Sequence, residues 1–326
     1  MDARTRPCKV AVVGVGYFGN LHAEKYADSS AADLVAVCDI VGERSESAAL
    51  RFGAEPELDY RELYGRVDAV SVVVPTNGHH AVTKDFLEQG IHVLVEKPIS
   101  SSLDQADDLI EIAAANRLVL QVGHLERFNP AVLGLEHVLS RPRFIECRRT
   151  SPYRQRGTDT NVVLDLMIHD IDLILDIVKS PIERIEAIGV PVLSDVEDIA
   201  DARIRFADGC IATFTASRVS SRTERTMRIF QNDAYILLDL NDSSLSVRRK
   251  DPTAVNGSRT RIVEELQNFE PGDNLRRQIE SFLTATRTGS TPMVTASDAR
   301  RALEAALIIT RQCSSNGDVD IARLNP

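Results

Sequence analysis

The chain has 326 residues, 43% of them hydrophobic, 26% charged and only 5% aromatic, which is enough for two ordinary cores and excludes disorder and collagen-like repeats. Its 38 Lys and Arg against 48 Asp and Glu leave a net charge of −10, a balance that repels a phosphate backbone and argues against nucleic acid as a partner. Five cysteines at 8, 38, 147, 210 and 313 form no CxxC or CxxH pair, so neither a zinc site nor a disulfide framework is expected, and reduced thiols fit a cytoplasm.

MDARTRPCKV runs straight into an apolar segment with no room for an export signal. Lys9–Val13 is apolar on both faces, as in a parallel strand covered by helices, and a helix is predicted from about Asn20. Strands at Leu34–Cys38, Ala69–Val74, His92–Val95 and Leu118–Val122 alternate with helices at Glu43–Arg51, His80–Gln89 and Leu103–Asn116. That alternation predicts a doubly wound parallel Rossmann sheet over residues 1–124. Beyond Gly123 the spacing becomes that of antiparallel hairpins, with strands at Phe144–Arg149, Ile182–Gly189, Asp201–Phe206, Cys210–Ser217, Arg225–Phe230 and Tyr235–Leu240. A helix at Val162–Val178 interrupts them, helices follow at Asn274–Thr286 and Ser297–Gln312, and Pro252–Gly272 reads as a loop. Residues 125–326 are therefore expected to form a mostly antiparallel open-sheet α+β domain for substrate binding and self-association. Asp165, Asp170, Asp172 and Asp176 inside the apolar helix argue against a membrane span.

Gly14-Val15-Gly16-Tyr17-Phe18-Gly19 follows a strand and opens a helix, and Asp39 ends the next strand. Gly14 allows a tight turn, Gly16 a close approach of backbone to pyrophosphate, and Gly19 helix–strand packing, while the helix N-terminus supplies free N–H donors. Asp39 accepts ribose hydroxyls in this reading. Ile40 and Val41 offer no cation for a 2′-phosphate, so NAD is preferred to NADP, with Arg44 as the one nearby cation. Glu96-Lys97-Pro98 lies at the C-terminal end of a central strand, where open α/β sheets bind ligands. A lysine there, beside a cationic nicotinamide, would have its pKa lowered toward accepting a hydroxyl proton. Asp165, His169 and Asp172 stand at spacings that place them on one helical face. An imidazole flanked by carboxylates suits proton shuttling, and three ligands without diagnostic spacing do not predict a metal.

Together these motifs resemble the Gfo/Idh/MocA oxidoreductases over almost the whole chain. Pro75 and His79 look like that family's Pro-x-x-x-His, Arg127-Phe128-Asn129-Pro130 like its Arg-Phe-x-Pro, and Asp165–Asp172 like its Asp-x-Gly-x-His-x-x-Asp, with Met167 in place of the glycine. The resemblance implies that Lys97 and His169 serve proton transfer, with Asp165 orienting or binding substrate. It also implies that Tyr17, Phe18, Pro75, Thr76, His79, Glu96 and Lys97 join Gly14, Gly16, Gly19 and Asp39 around the cofactor. Gly123–Pro130, Arg156–Asp159 and Val163–Asp172 give a narrower resemblance to the branch that oxidises the 3-hydroxyl of UDP-N-acetylglucosamine for lipid A amino sugars, in partnership with an aminotransferase.

Arg141–Arg156 holds six arginines (141, 143, 148, 149, 154, 156) against Glu146 alone. Forked guanidinium groups suit a diphosphate, so Arg127, Arg154 and Arg156 are the anion-binding candidates. Strand alternation sends Arg148 and Arg149 to opposite faces. His80 reads as a helix-start cap, His124 as a packed histidine, and Cys38 and Cys147 as inert. An open sheet face in the second domain predicts a homo-oligomer, dimer or tetramer. The competing readings are a dehydrogenase of a free sugar, inositol or UDP-uronate, and a non-catalytic nicotinamide sensor.

Overall fold

The computed structural model describes residues 6–153, 160–251, 261–270 and 272–314. The chain divides into two compact units, Met1–Leu125 with Asp273–Leu303, and Glu126–Gly272 with Glu304–Pro326.

In the first unit β1 (Cys8–Val13), α1 (Tyr17–Ala27), β2 (Ala32–Cys38), α2 (Gly42–Phe52), β3 (Glu55–Glu57), β4 (Ala69–Val72), α3 (Thr76–Glu88), β5 (His92–Val95), α4 (Leu103–Ala115) and β6 (Leu120–Val122) follow in order. All neighbouring strands pair parallel, in the order β3-β2-β1-β4-β5-β6. The strands are apolar on both faces because helices cover both, and Val10, Ala11, Val12, Val93, Leu94 and Val95 are all fully buried. The short edge strand β3 was not expected. Its sequence, Glu-Pro-Glu, has no apolar alternation, and a proline is tolerated there only because an edge strand leaves one side unpaired.

The second unit holds a 3-10 turn (Leu125–Phe128, whose first residue belongs to the first unit), the short α5 (Pro130–Leu133), β7 (Pro142–Thr150), a π-helical turn (Val163–Met167) running into α6 (Ile168–Val178), and strands β8 (Ile182–Val190), β9 (Ile199–Phe206), β10 (Ile211–Ser217), β11 (Glu224–Gln231), β12 (Tyr235–Asp239), β13 (Ser244–Lys250) and β14 (Ile262–Asn268). The eight strands form one sheet in the order β14-β13-β12-β11-β7-β10-β9-β8, antiparallel except for β7 with β10. Alternation sets its two faces: Ala200, Ala202, Ile204 and Phe206 of β9 point inward, while Asp201, Arg203 and Arg205 point out.

Two expectations are corrected. Residues 262–268, read as part of a loop, pair with β13 over seven residues, and the strand escaped notice because its Val-Glu-Glu-Leu-Gln core is exposed and polar. The segment Asp273–Leu303, assigned to the second domain, belongs to the first unit. There α7 (Asn274–Thr288) buries Leu275, Ile279, Phe282 and Leu283 in the same core as Val10, Tyr26 and Leu94. The last helix, α8 (Ala296–Ser314), starts in the first unit and ends in the second.

Candidate active site

The glycine-rich loop carries the features a dinucleotide needs. Gly14 has φ +89°, and a Cβ there would stand 2.5 Å from the Val73 carbonyl oxygen, so only glycine fits the turn. A Cβ on Gly19 would overlap the Gly14 carbonyl, so that position also excludes a side chain. Gly16, at the N-cap of α1, differs: a Cβ would meet nothing within 4 Å. The backbone there is open to a ligand and unobstructed by the protein. The Asn20 amide donates to the Val15 and Gly16 carbonyls at 2.7 and 3.0 Å and fixes the loop.

Asp39 is buried, and its two oxygens accept the Val15 N–H at 3.0 Å and the Val41 N–H at 2.9 Å. Each carboxylate oxygen keeps a second lone pair for a ribose hydroxyl. The Arg44 guanidinium lies 3.9 Å from Asp39, so this cation is paired with the acid. Tyr17 is exposed and Phe18 packs edge-to-face on His22 at 5.3 Å. The residues present fit an NAD dinucleotide.

Pro75 caps α3 and Thr76 begins it. His79 is buried, with Nδ1 2.7 Å from the Pro98 carbonyl and Nε2 2.9 Å from the Val74 carbonyl. Burial pulls its pKa below the ordinary imidazole value, against the opposing pull of the two carbonyls. A neutral ring has one N–H, so it donates to only one of these carbonyls while the ring itself packs between the loop after β4 and the loop after β5. His80 pairs with Asp108 at 2.7 Å, and His124 is buried.

Lys97 is half-buried just past β5, in a cis peptide bond to Pro98. Glu96 faces inward: Oε1 accepts from His22 Nε2 at 3.1 Å and from Gln278 Nε2 at 3.4 Å, and Oε2 accepts the Lys97 N–H at 3.3 Å. A Cβ on Gly123 would overlap the Glu96 carboxylate. His22, Ser71, Gln121 and Gln278 around it are fully buried. Sequence reasoning missed this polar cluster. Its only trace is Ser71 in the otherwise apolar β4 and a His and a Tyr one turn apart on α1.

In the second unit, Asp165 lies in the π-helical turn and His169 just inside α6, both half-buried. A continuous helix was expected over Val162–Val178, but the wider π turn shifts the helical phase there, a distortion common at functional sites. Met167, at the position of the family's glycine, is fully buried. Asp172 is more deeply buried than the other two. It is 1% exposed and bonded to Arg127, whose Nε and Nη2 donate to it at 2.7 and 3.0 Å.

Arg127 also meets Asp176 at 2.9 Å, so its guanidinium is taken up by two carboxylates and the expected anion-binding role is corrected: it ties the 3-10 turn to α6. Arg149 behaves alike, buried between Asp170 and Glu126 at 2.7 and 2.9 Å. Arg148, its neighbour, is exposed on the opposite face, as alternation requires. Arg154 and Arg156 lie outside the described residues. All five cysteines are free and buried, and burial pushes Cys8 and Cys38 up to about 12 and Cys147 well above its ordinary value. Among the described residues no group of three His, Cys, Asp or Glu is placed to hold a metal, and no helix is long and apolar enough to cross a membrane.

Residues 8–124 match the oxidoreductase family with an NAD-binding Rossmann fold, and residues 132–236 match the GFO/IDH/MocA C-terminal domain. The chain is 36% identical over 302 residues to UDP-N-acetylglucosamine 3-dehydrogenase of Acidithiobacillus ferrooxidans, covering 92% of this chain and 95% of that protein. The solved structure of that enzyme superposes with a TM-score of 0.87 at 34% identity, covering 93% of this chain and 96% of the other. Myo-inositol 2-dehydrogenase of Thermotoga maritima is 27% identical over 322 residues, 90% of this chain and 93% of the relative. An inositol dehydrogenase homologue from Azotobacter vinelandii shares the fold, with a TM-score of 0.81 at 19% identity over 97% of this chain and 98% of the other.

Proposed function

The chain belongs to the Gfo/Idh/MocA oxidoreductases, and from that premise we propose that it is an NAD-dependent dehydrogenase that oxidises the 3-hydroxyl of UDP-N-acetylglucosamine to the ketone. The observation that carries this reading is 36% identity across 92% of the chain with a UDP-N-acetylglucosamine 3-dehydrogenase. When bound, NAD supplies the hydride acceptor. Gly14, Gly16, Gly19 and Asp39 hold the dinucleotide, with Tyr17, Phe18, Pro75, Thr76 and His79 around it.

Lys97, at the carboxyl end of β5, is assigned to accept the 3-hydroxyl proton as the carbon gives up its hydride. His169 and Asp165 are assigned to hold the sugar hydroxyl, with the imidazole relaying the proton. Arg154 and Arg156 are proposed to take the diphosphate, a reading supported by the arginine run from residue 141 and by the commitment of Arg127 elsewhere. The reaction suits an aminotransferase that consumes the ketone on the way to a lipid A amino sugar, in the cytoplasm.

The outer face of the second sheet supports self-association. It exposes Arg203, Arg205 and Asp201 beside a ladder of Phe144, Phe230 and Tyr235 with ring centroids 5.6 and 5.1 Å apart. The 27% identity to an inositol dehydrogenase sustains a second reading, a free cyclic polyol as substrate. NADH formation with UDP-N-acetylglucosamine beside N-acetylglucosamine, UDP-glucose, the UDP-uronate and myo-inositol separates the two: turnover confined to the first supports the proposal, and turnover of inositol alone overturns it.

A further inference from the structure

We propose that two buried histidines, His22 and His79, are positioning residues that hold Lys97 by gripping the residue on either side of it. The inference rests on Lys97 as the proton acceptor.

His22 and Tyr26 project from α1 into the interior and both reach Ser71 of β4. The direction of every hydrogen bond in this chain follows from its end. The chain ends on the Glu96 carboxyl oxygen Oε1, an acceptor, so His22 Nε2 carries the hydrogen and donates to it at 3.1 Å. His22 Nδ1 then accepts from the Ser71 hydroxyl at 3.1 Å, and Ser71 Oγ accepts from the Tyr26 hydroxyl at 2.8 Å. A neutral imidazole satisfies all of these contacts. Burial raises the Tyr26 phenol well above its ordinary value, so it stays a donor.

A series of three oriented dipoles, Tyr26 to Ser71 to His22, thus ends on one oxygen of a buried carboxylate, whose other oxygen accepts the Lys97 N–H at 3.3 Å. Glycine at 123 leaves room for that carboxylate, since any Cβ there would overlap it. On the far side of Lys97, the His79 ring lies with Nδ1 2.7 Å from the Pro98 carbonyl and Nε2 2.9 Å from the Val74 carbonyl, and in the Nδ1–H tautomer its single N–H donates to Pro98, the shorter contact. The residues on both sides of Lys97 are therefore held by side chains buried on α1 and α3. A general base must keep hydrogen-bond reach of its proton, and a displacement of about 1 Å costs on the order of 100-fold in rate.

The test measures kcat and KM per NADH-binding site, counted by fluorescence titration, for His22→Leu, His22→Gln, His79→Leu, Glu96→Gln and Lys97→Met. His22→Leu is expected to lower kcat per site roughly 10- to 100-fold while KM for NAD stays within about twofold, and His79→Leu, at a residue that also lies beside the dinucleotide, is expected to lower kcat per site by a similar factor. His22→Gln, which keeps a donor toward Glu96, is expected to recover most of the loss. Should His22→Leu fail to fold, Glu96→Gln, which preserves shape and removes the buried charge, is expected to show the same kcat loss. Wild-type kcat per site in the leucine variants or in Glu96→Gln, or a glutamine variant as slow as leucine, overturns the clamp while an inactive Lys97→Met leaves the base assignment standing. Wild-type turnover by Lys97→Met overturns the base assignment itself.

Discussion

At the scale of single residues, two side chains carry separable parts of the account. Lys97→Met removes the proposed proton acceptor without touching the glycine loop, so turnover is expected to fall by at least about 100-fold while NADH binding persists. Steady-state rates and a fluorescence titration on one preparation check both halves. Asp39 has a double duty in this proposal, since its oxygens hold the Val15 and Val41 N–H groups and are assigned to the ribose hydroxyls as well. Asp39→Ala is expected to weaken NAD binding by roughly 10- to 100-fold, the equivalent of one or two charge-assisted hydrogen bonds. Because Arg44 then loses its carboxylate partner, NADP should lose much less affinity, and titration with both dinucleotides measures the difference. Asp39 and the glycines were legible in the sequence because strand, turn, helix and acid follow at fixed spacing. The cluster around Glu96 was not, since His22 and Gln278, which bond it, and Ser71, which bonds His22, come from three distant elements that only the fold brings together.

At the scale of elements, the first sheet was legible because its strands are apolar on both faces, a pattern that survives without knowledge of their partners. β13 and β14 were not, because pairing rather than composition defines them. The segment Asp165–Asp172 was legible as helical, while the π turn inside it was not, since no residue type announces the wider ring. That turn, together with α6, leaves Asp165 and His169 half-buried and Asp172 committed to Arg127. Arg127→Leu orphans two carboxylates, one of them 1% exposed, and is expected to cost about 3–5 kcal/mol of stability. KM for the UDP-sugar per folded molecule should change little. A raised KM with unchanged denaturant midpoint would instead return Arg127 to the anion site.

At the scale of the whole molecule, pH acts through a buried histidine, His79, and a half-buried one, His92. Burial lowers the pKa of both His79 and His92 from the ordinary 6.5, and His92 Nδ1 accepts the Val119 N–H at 2.9 Å, which requires the neutral ring. Between the lowered folded values and 6.5 the unfolded chain binds more protons, so this stability is full above that pH and is lost as pH falls through the folded values. Denaturation midpoints should drop from pH 7 toward pH 5.5, and His92→Gln should flatten the slope; an equal slope in the variant would remove His92 from the explanation. The two units carry a dinucleotide fold and a sheet with an open charged face, and the chain as a whole is read as a nucleotide-sugar oxidoreductase. The most direct test of that reading is NADH formation by the purified protein with NAD and UDP-N-acetylglucosamine, with glutamate and an aminotransferase present to draw off the ketone. The account predicts turnover with UDP-N-acetylglucosamine, formation of a 3-amino sugar nucleotide, and no turnover with N-acetylglucosamine or myo-inositol. NADH formation from myo-inositol or free sugar alone, with the UDP-sugar inert, would contradict it.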